Sequence, residues 1–86
     1  MKYLEKLEAL YSKIGNTDIV RFVFEYKGIK KIVYAKKEFT NPSGSIKIRP
    51  AYQILHDAIS EGKLVEGQRV IEVTSGNMGI ALAYLC

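Results

Sequence analysis

Two short runs of small and polar residues, Asn41-Pro42-Ser43-Gly44-Ser45 and Thr74-Ser75-Gly76-Asn77, are each followed by a helical pattern. A short apolar run, Arg69 to Val73, leads into the second. This order leaves few folds open. After the first turn, Ala51, Ile54, Leu55, Ala58 and Ile59 share one apolar face, which predicts a helix from about Pro50 to Glu61. Pro50 suits the first helical position and Gly62 the C-terminal cap. Arg69 to Val73 reads as a strand buried on both faces, and Met78 to Leu85 as the start of another helix. Strand, helix, strand, helix predicts a parallel pairing with a right-handed crossover, the beginning of an open α/β sheet.

The first half supplies a different kind of structure. Leu4, Leu7, Leu10 and Tyr11 fall at helical spacing, so Lys2 to Lys13 reads as a short amphipathic helix stopped by Gly15. Ile19 to Tyr26 is β-branched and aromatic and reads as a strand. Lys27-Gly28 is a turn, and Lys30 to Phe39 a second strand with Ile32, Val33, Tyr34 and Ala35 as its buried part. The two strands predict a hairpin. The expected fold is therefore α/β: an N-terminal helix and hairpin over residues 1–40, then the start of an open, partly parallel three-layer sheet over residues 41–86. The run Met78 to Cys86 is apolar nearly all round and has no cap or turn signal at its end. Such a helix is expected to be buried on all sides, so the chain reads as a single domain cut partway through, and as one prone to associate.

Composition narrows the function. With 86 residues, 48% of them apolar, the chain is globular in character and buries roughly 60–65% of its unfolded surface. The net charge of +4 is spread along the chain, with small clusters at Lys30-Lys31 and Lys36-Lys37. No basic stripe with interleaved aromatics is present, so nucleic acid is not an expected partner. One cysteine, Cys86, and one histidine, His56, exclude an internal disulfide and a Cys/His metal set. The N-terminus has no apolar core of signal-peptide length, and no segment is long enough to span a membrane. A cytoplasmic location is the expectation.

In an open α/β sheet ligands bind beyond the carboxyl ends of the strands, where both turns are expected to lie. Each turn leads into a helix whose first N–H groups suit an anion. Gly44, Ser45, Ser75 and Gly76 let backbone approach a ligand closely. One lysine, Lys47, stands beside the first turn, with Arg49 two residues on as a nearby cation. A lysine amine forms a Schiff base once desolvation or neighbouring cations lower its pKa. On spacing and composition alone, a surface lysine at a helix start is the simpler reading of Lys47.

Three blocks, in order, carry a resemblance: Ile14-Gly15-Asn16-Thr17 with Ile19-Val20; Tyr34-Ala35-Lys36 with Glu38 and Asn41-Pro42-Ser43-Gly44-Ser45-Ile46-Lys47; and Thr74-Ser75-Gly76-Asn77-Met78-Gly79-Ile80-Ala81-Leu82-Ala83. Together they span nearly the whole chain, and they resemble the cysteine synthase family, the β-replacement branch of the fold-type II pyridoxal-phosphate enzymes. The resemblance implies pyridoxal 5'-phosphate as cofactor. It puts Lys47 at the position of the Schiff-base lysine, which is also the general base at the substrate α-carbon. It puts Asn77 at the position that hydrogen-bonds the cofactor's phenolic oxygen. Thr74, Ser75, Gly76, Met78 and Gly79 fall on the loop that receives the amino-acid carboxylate. O-acetylserine and sulfide are the implied substrates.

Four departures from the family's pattern stand in the chain, one of them a residue pair. Asp18-Ile19 replaces a usual Pro-Leu pair, and Lys37 a leucine or methionine. Ile48 replaces an aspartate, making Lys47-Ile48-Arg49 similar to the serine and threonine dehydratases of the same superfamily. Met78 replaces a threonine and removes a hydroxyl from the carboxylate loop. Members of the family are several times longer, and their glycine-rich phosphate-binding loop lies beyond the position of Cys86. The isolated chain is therefore expected to be inactive or nearly so.

Other candidates read as structure. His56, near Asp57, is a helix-surface histidine, and Cys86 lacks a base to activate it. Glu61, Glu66 and Glu72 are solvated carboxylates, and the six tyrosines cover the core. Arg49 either steers cofactor charge or pairs with a carboxylate. Three functions compete: a pyridoxal-phosphate enzyme of cysteine synthase or dehydratase type; a non-catalytic remnant that assembles with its own copies or a complementary chain; and, from net charge only, a small nucleic-acid binder.

Overall fold

Lys27 (φ 52°) and Gly28 (φ 76°) both adopt left-handed backbone. That is the geometry a two-residue hairpin turn requires. In the computed structural model, which describes residues 2–86, this turn joins β1 (Ile19–Tyr26) to β2 (Ile29–Lys36). The strands are antiparallel, in register from Ile19 opposite Lys36 to Tyr26 opposite Ile29. The second strand ends earlier than the apolar run suggests. Thr40 donates its hydroxyl to the Lys37 carbonyl at 2.7 Å, and the Asn41 amide donates to the Glu38 carbonyl at 2.9 Å. These local bonds divert the backbone into a 3₁₀ turn over Glu38–Thr40.

Three helices form the rest. The first, α1, spans Lys2–Ala9. The chain then tightens into a 3₁₀ turn at Tyr11–Lys13 rather than continuing the α-helix to Lys13. The central helix, α2, spans Ile48–Ser60, two residues earlier than Pro50 suggests. Pro50 is still in the first turn, where its missing N–H breaks no helical bond. The helix closes as expected on Gly62 (φ 74°): Gly62 N–H donates to Ile59 at 3.1 Å and Lys63 N–H to Ala58 at 2.9 Å. The last helix, α3, spans Asn77–Leu85.

The core lies on α2. One cluster joins Leu7 of α1 to Tyr52, Leu55 and Ile59. A second joins Ile48 and Ala51 to Ala81 of α3. The buried face thus includes Ile48 and Tyr52, while Ile54, expected in it, is 56% exposed. A helix packed between two neighbours buries a face set by both, and Ile54 points at neither.

Several expectations are corrected. Residues 69–73 form no strand, and Ile71 and Val73 are 87% and 96% exposed. The expected parallel pairing is therefore not formed. A doubly buried strand needs partners on both edges and both faces, and among the described residues the only sheet is the two-stranded hairpin. The hairpin is likewise uncovered: Ile32, Val33 and Tyr34 are exposed, and only Val20 and Ala35 of its two strands are half-buried. Of α3, only Ala81 is buried, because one face alone meets α2. Of the tyrosines, Tyr52 is buried and the others are exposed. No helix among the described residues is long and apolar enough to cross a membrane.

Candidate functional site

Lys47 sits at the N-terminus of α2, and the residue after it, Ile48, is fully buried. The side chain of Lys47 is therefore carried on a backbone fixed by its neighbour, while its own amine remains exposed. The loop before it is held from within by Asn41, which is buried. The Asn41 side-chain oxygen Oδ1 accepts the Gly15 N–H at 2.8 Å. Its amide donates to Glu38 Oε1 at 3.1 Å and to the Ser45 carbonyl at 3.3 Å. Lys47 N–H donates to Ser45 Oγ at 3.3 Å.

Behind the loop, Glu38 gathers charge and hydrogen bonds. Arg49 donates through Nε to Oε1 at 2.5 Å and through Nη2 to Oε2 at 3.1 Å, a two-pronged pair. The Thr17 hydroxyl donates to Oε2. Arg49 first, then Thr17, and to a smaller degree Asn41, lower the carboxyl pKa of Glu38 from 4.5 to about 2 against the opposing effect of burial. A Cβ on Gly15 would lie 2.8 Å from Arg49 Nη1, so glycine there admits the guanidinium. Arg49 thus pairs with a carboxylate, one of the two roles open to it from sequence.

The second loop is organised by Thr74. Its Oγ1 accepts the N–H groups of Gly76 and Gly79, each at 3.1 Å. It therefore caps the third residue of α3 from outside the helix. A Cβ on Gly79 would come within 2.6 Å of Thr74 Cγ2, so the close approach depends on glycine. The N–H groups of Asn77 and Met78, in the first helical turn, have no acceptor among the described residues. Met78 also packs against the cluster of Ile48, Ala51 and Ala81. Ile48 and Met78 therefore meet in one apolar contact region.

The two loops face each other. Lys47, Val73, Thr74, Ser75, Gly76, Asn77 and Met78 line an open cleft of about 350 Å³. Of the residues the resemblance assigns to cofactor or substrate, all line it except Gly79, whose part is to admit Thr74; Gly44, Ser45 and Arg49, also singled out in the sequence, do not line it. A larger apolar cavity of about 640 Å³ lies among α1, α2, α3 and residues 64–74. It contains none of the cleft's chemistry apart from the Thr74 boundary. His56 does not line the cleft; its Nε2 lies 3.1 Å from Glu8 Oε1, and its ring lies beside that of Tyr52, tilted by 30°. Sequence reasoning gave no role to Thr17, Glu38 or Asn41. Their only signal is that all three fall inside the blocks that carry the resemblance.

A model of pyridoxal-phosphate dependent enzymes matches residues 10–86, and the chain belongs to that family. Its relatives refine the class. Cysteine synthase B of Campylobacter jejuni subsp. jejuni is 44% identical over 86 residues, 100% of this chain and 26% of that protein. N-(2-amino-2-carboxyethyl)-L-glutamate synthase of Ralstonia nicotianae is 47% identical over 73 residues, 85% of this chain and 22% of that protein. A solved hydrogen sulfide-producing enzyme from Fusobacterium nucleatum superposes with a TM-score of 0.83 at 35% identity, covering 92% of this chain and 24% of that one. The chain spans about a quarter of the length of these relatives. The helix-and-hairpin α/β arrangement is shared with the solved enzyme.

The cofactor of this family is pyridoxal phosphate. The donor set of the cleft fits its aldehyde end and an amino-acid carboxylate: one lining holds an exposed lysine, two unpaired backbone N–H groups, and the amide and hydroxyl of Asn77 and Ser75. Among the described residues the lining offers no second cation for the phosphate.

Proposed function

We propose that Lys47 holds pyridoxal phosphate covalently, that Asn77 hydrogen-bonds its phenolic oxygen, and that Thr74, Ser75, Gly76, Met78 and Gly79 make the loop that receives the substrate carboxylate. The cleft carries this reading: Lys47 and residues 73–78 share one opening although the whole of α2 separates them in the chain. The reaction is β-replacement on O-acetylserine with sulfide, in a cytoplasmic enzyme of cysteine synthase type. When bound, the cofactor supplies the electron sink for the substrate carbanion. The chain supplies the rest. The free N–H groups of Asn77 and Met78 hold the carboxylate. Lys47 carries the only amine on the cleft lining among the described residues, and it takes and returns the proton at the α-carbon. In the same reading, residues 69–73 pair as the parallel strand of a three-layer sheet once neighbouring strands are present.

A dehydratase acting on serine or threonine is the second reading, favoured by Lys47-Ile48-Arg49. A non-catalytic chain that assembles with its own copies or with a complementary chain is the third. It is favoured by the exposed apolar residues of the hairpin and of residues 70–73. One experiment separates them. Mix the chain with pyridoxal phosphate, record the visible spectrum, trap with borohydride and map the labelled peptide. Label concentrated on Lys47, with little turnover by the 86 residues alone, is expected. Cysteine formation from O-acetylserine and sulfide supports the first reading, and keto acid from serine the second. Label scattered over surface lysines overturns the assignment of Lys47.

A further inference from the structure

Lys47 is followed directly by two anchors that do not line the cleft: the buried Ile48 and, next to it, Arg49 in its two-pronged contact with Glu38. Glu38 is also reached by the Thr17 hydroxyl and the Asn41 amide. Asn41 in turn takes the Gly15 N–H and donates to the Ser45 carbonyl, inside the loop that ends at Lys47. Three separate stretches of chain, near residues 15–17, 38–41 and 45–49, thus converge on one carboxylate. None of these side chains lines the cleft. A surface ion pair alone would contribute little. This one differs because each oxygen of the carboxylate accepts two donors, and because the residues it joins flank the loop on both sides.

We propose that Glu38 is a positioning residue: through Arg49, Thr17 and Asn41 it clamps the 41–49 segment so that the Lys47 amine is presented to the 74–78 loop. The inference rests on the assignment of Lys47 as cofactor lysine. It adds a residue outside the cleft that decides how selectively that lysine is used. With the clamp closed, Lys47 is held where the N–H groups of the facing loop draw an anionic ligand. With it open, Lys47 becomes one exposed lysine among the others on the chain.

Selectivity is therefore the quantity to measure. The full chain is mixed with pyridoxal phosphate, reduced with borohydride and mapped, and the share of label on Lys47 is compared with the share on the other lysines. Glu38→Gln keeps the size and removes the charge. It is expected to lower the Lys47 share about fivefold, with the far-ultraviolet circular dichroism unchanged, because the charge-assisted fork to Arg49 is weakened. Arg49→Lys keeps the charge and loses the fork, and is expected to fall almost as far. Glu38→Asp keeps a carboxylate and is expected to recover part of the selectivity, which a nonspecific loosening of the fold would not produce. If Glu38→Gln loses its helical signal, Thr17→Val, which removes one hydroxyl donor and leaves the ion pair, carries the test with a smaller fall in the Lys47 share. A selective parent chain with an equally selective folded variant overturns the clamp and leaves the Lys47 assignment standing. An unselective parent chain overturns both.

Discussion

The loop that ends at Lys47 and the loop that starts α3 are similar in composition and opposite in anchorage. The first is tied to distant parts of the chain. Gly15, Thr17, Glu38 and Arg49 converge on it, and Ile48 is fully buried beside it. The second has a single side-chain hydrogen-bonding device, the Thr74 hydroxyl bonded to Gly76 and Gly79, beside the packing of Met78. The segment leading into it, residues 70–73, is exposed. Local stability follows buried contacts and protected hydrogen bonds. The cleft therefore has one firm wall, carrying the amine, and one soft wall, carrying the unpaired N–H groups of Asn77 and Met78. In the proposed function, a lysine on a firmly held backbone opposite an adjustable loop would suit a site that keeps one cofactor and exchanges amino acids.

The sharpest way to break this contrast is to remove the anchor of the firm wall. Ile48→Ala is expected to destabilise the chain by about 2–5 kcal/mol, because a fully buried side chain leaves a cavity among Ala51, Ala81 and Met78. For a chain with so small a core, that is most of the stability of the fold. Urea unfolding followed by circular dichroism measures it. A midpoint within error of the parent's would show that Ile48 is not the anchor.

Asn41→Ala tests the same wall through its hydrogen bonds. It leaves the Gly15 N–H and the Ser45 carbonyl without their partner. A loss of about 1–3 kcal/mol is expected. Amide exchange at Gly15 should accelerate, while exchange at Gly79 stays as in the parent, since the two walls share no hydrogen bond.

How much of this was legible in the sequence differs between the walls for the same reason. The hairpin's first strand, its Lys27-Gly28 turn and the Gly62 cap of α2 follow from local chemistry, and the structure has them where the residues predict. The cleft residues were legible because the resemblance placed Lys47 and Asn77 together. The clamp was not, since Thr17, Glu38 and Arg49 lie far apart in the chain and no periodicity links them. Residues 69–73 misled for a further reason. An apolar run reports that burial is favourable and says nothing of whether the neighbours that provide it are present. Ile54 was placed in the core by helical spacing, but Ile48 and Tyr52 took the buried face because α2 packs between two helices.

The soft wall should respond less. Thr74→Val keeps the shape of the side chain and removes the cap of α3. The expected cost is about 1 kcal/mol. Because the loss is local, the global unfolding midpoint should move little. Exchange at Gly76 and Gly79 should speed up, and the Lys47 share of trapped pyridoxal phosphate should stay near that of the parent. A fall in that share as large as the one expected for Glu38→Gln would mean that the two walls are mechanically one.

The smallest expected effect is a pH dependence that belongs to the firm wall alone. The Glu38 carboxyl titrates near 4.5 when free of its partners and at about 2 in the folded chain, where Arg49, then Thr17 and Asn41, favour its ionised form. Between those values the unfolded chain binds the extra proton. The contribution of Glu38 to stability is therefore complete above pH 4.5 and is lost as pH falls through about 2. Because the group is near solvent, salt should reduce the effect. Denaturation midpoints measured between pH 5 and pH 2 should fall with a shallower slope in Glu38→Gln than in the parent. Thr74→Val should keep the parent's slope, because no ionisable group takes part in the Thr74 cap. Equal slopes for the parent and Glu38→Gln would mean that the carboxylate is as free in the folded chain as in the unfolded one, and the firm wall would then rest on Ile48 and Asn41 alone.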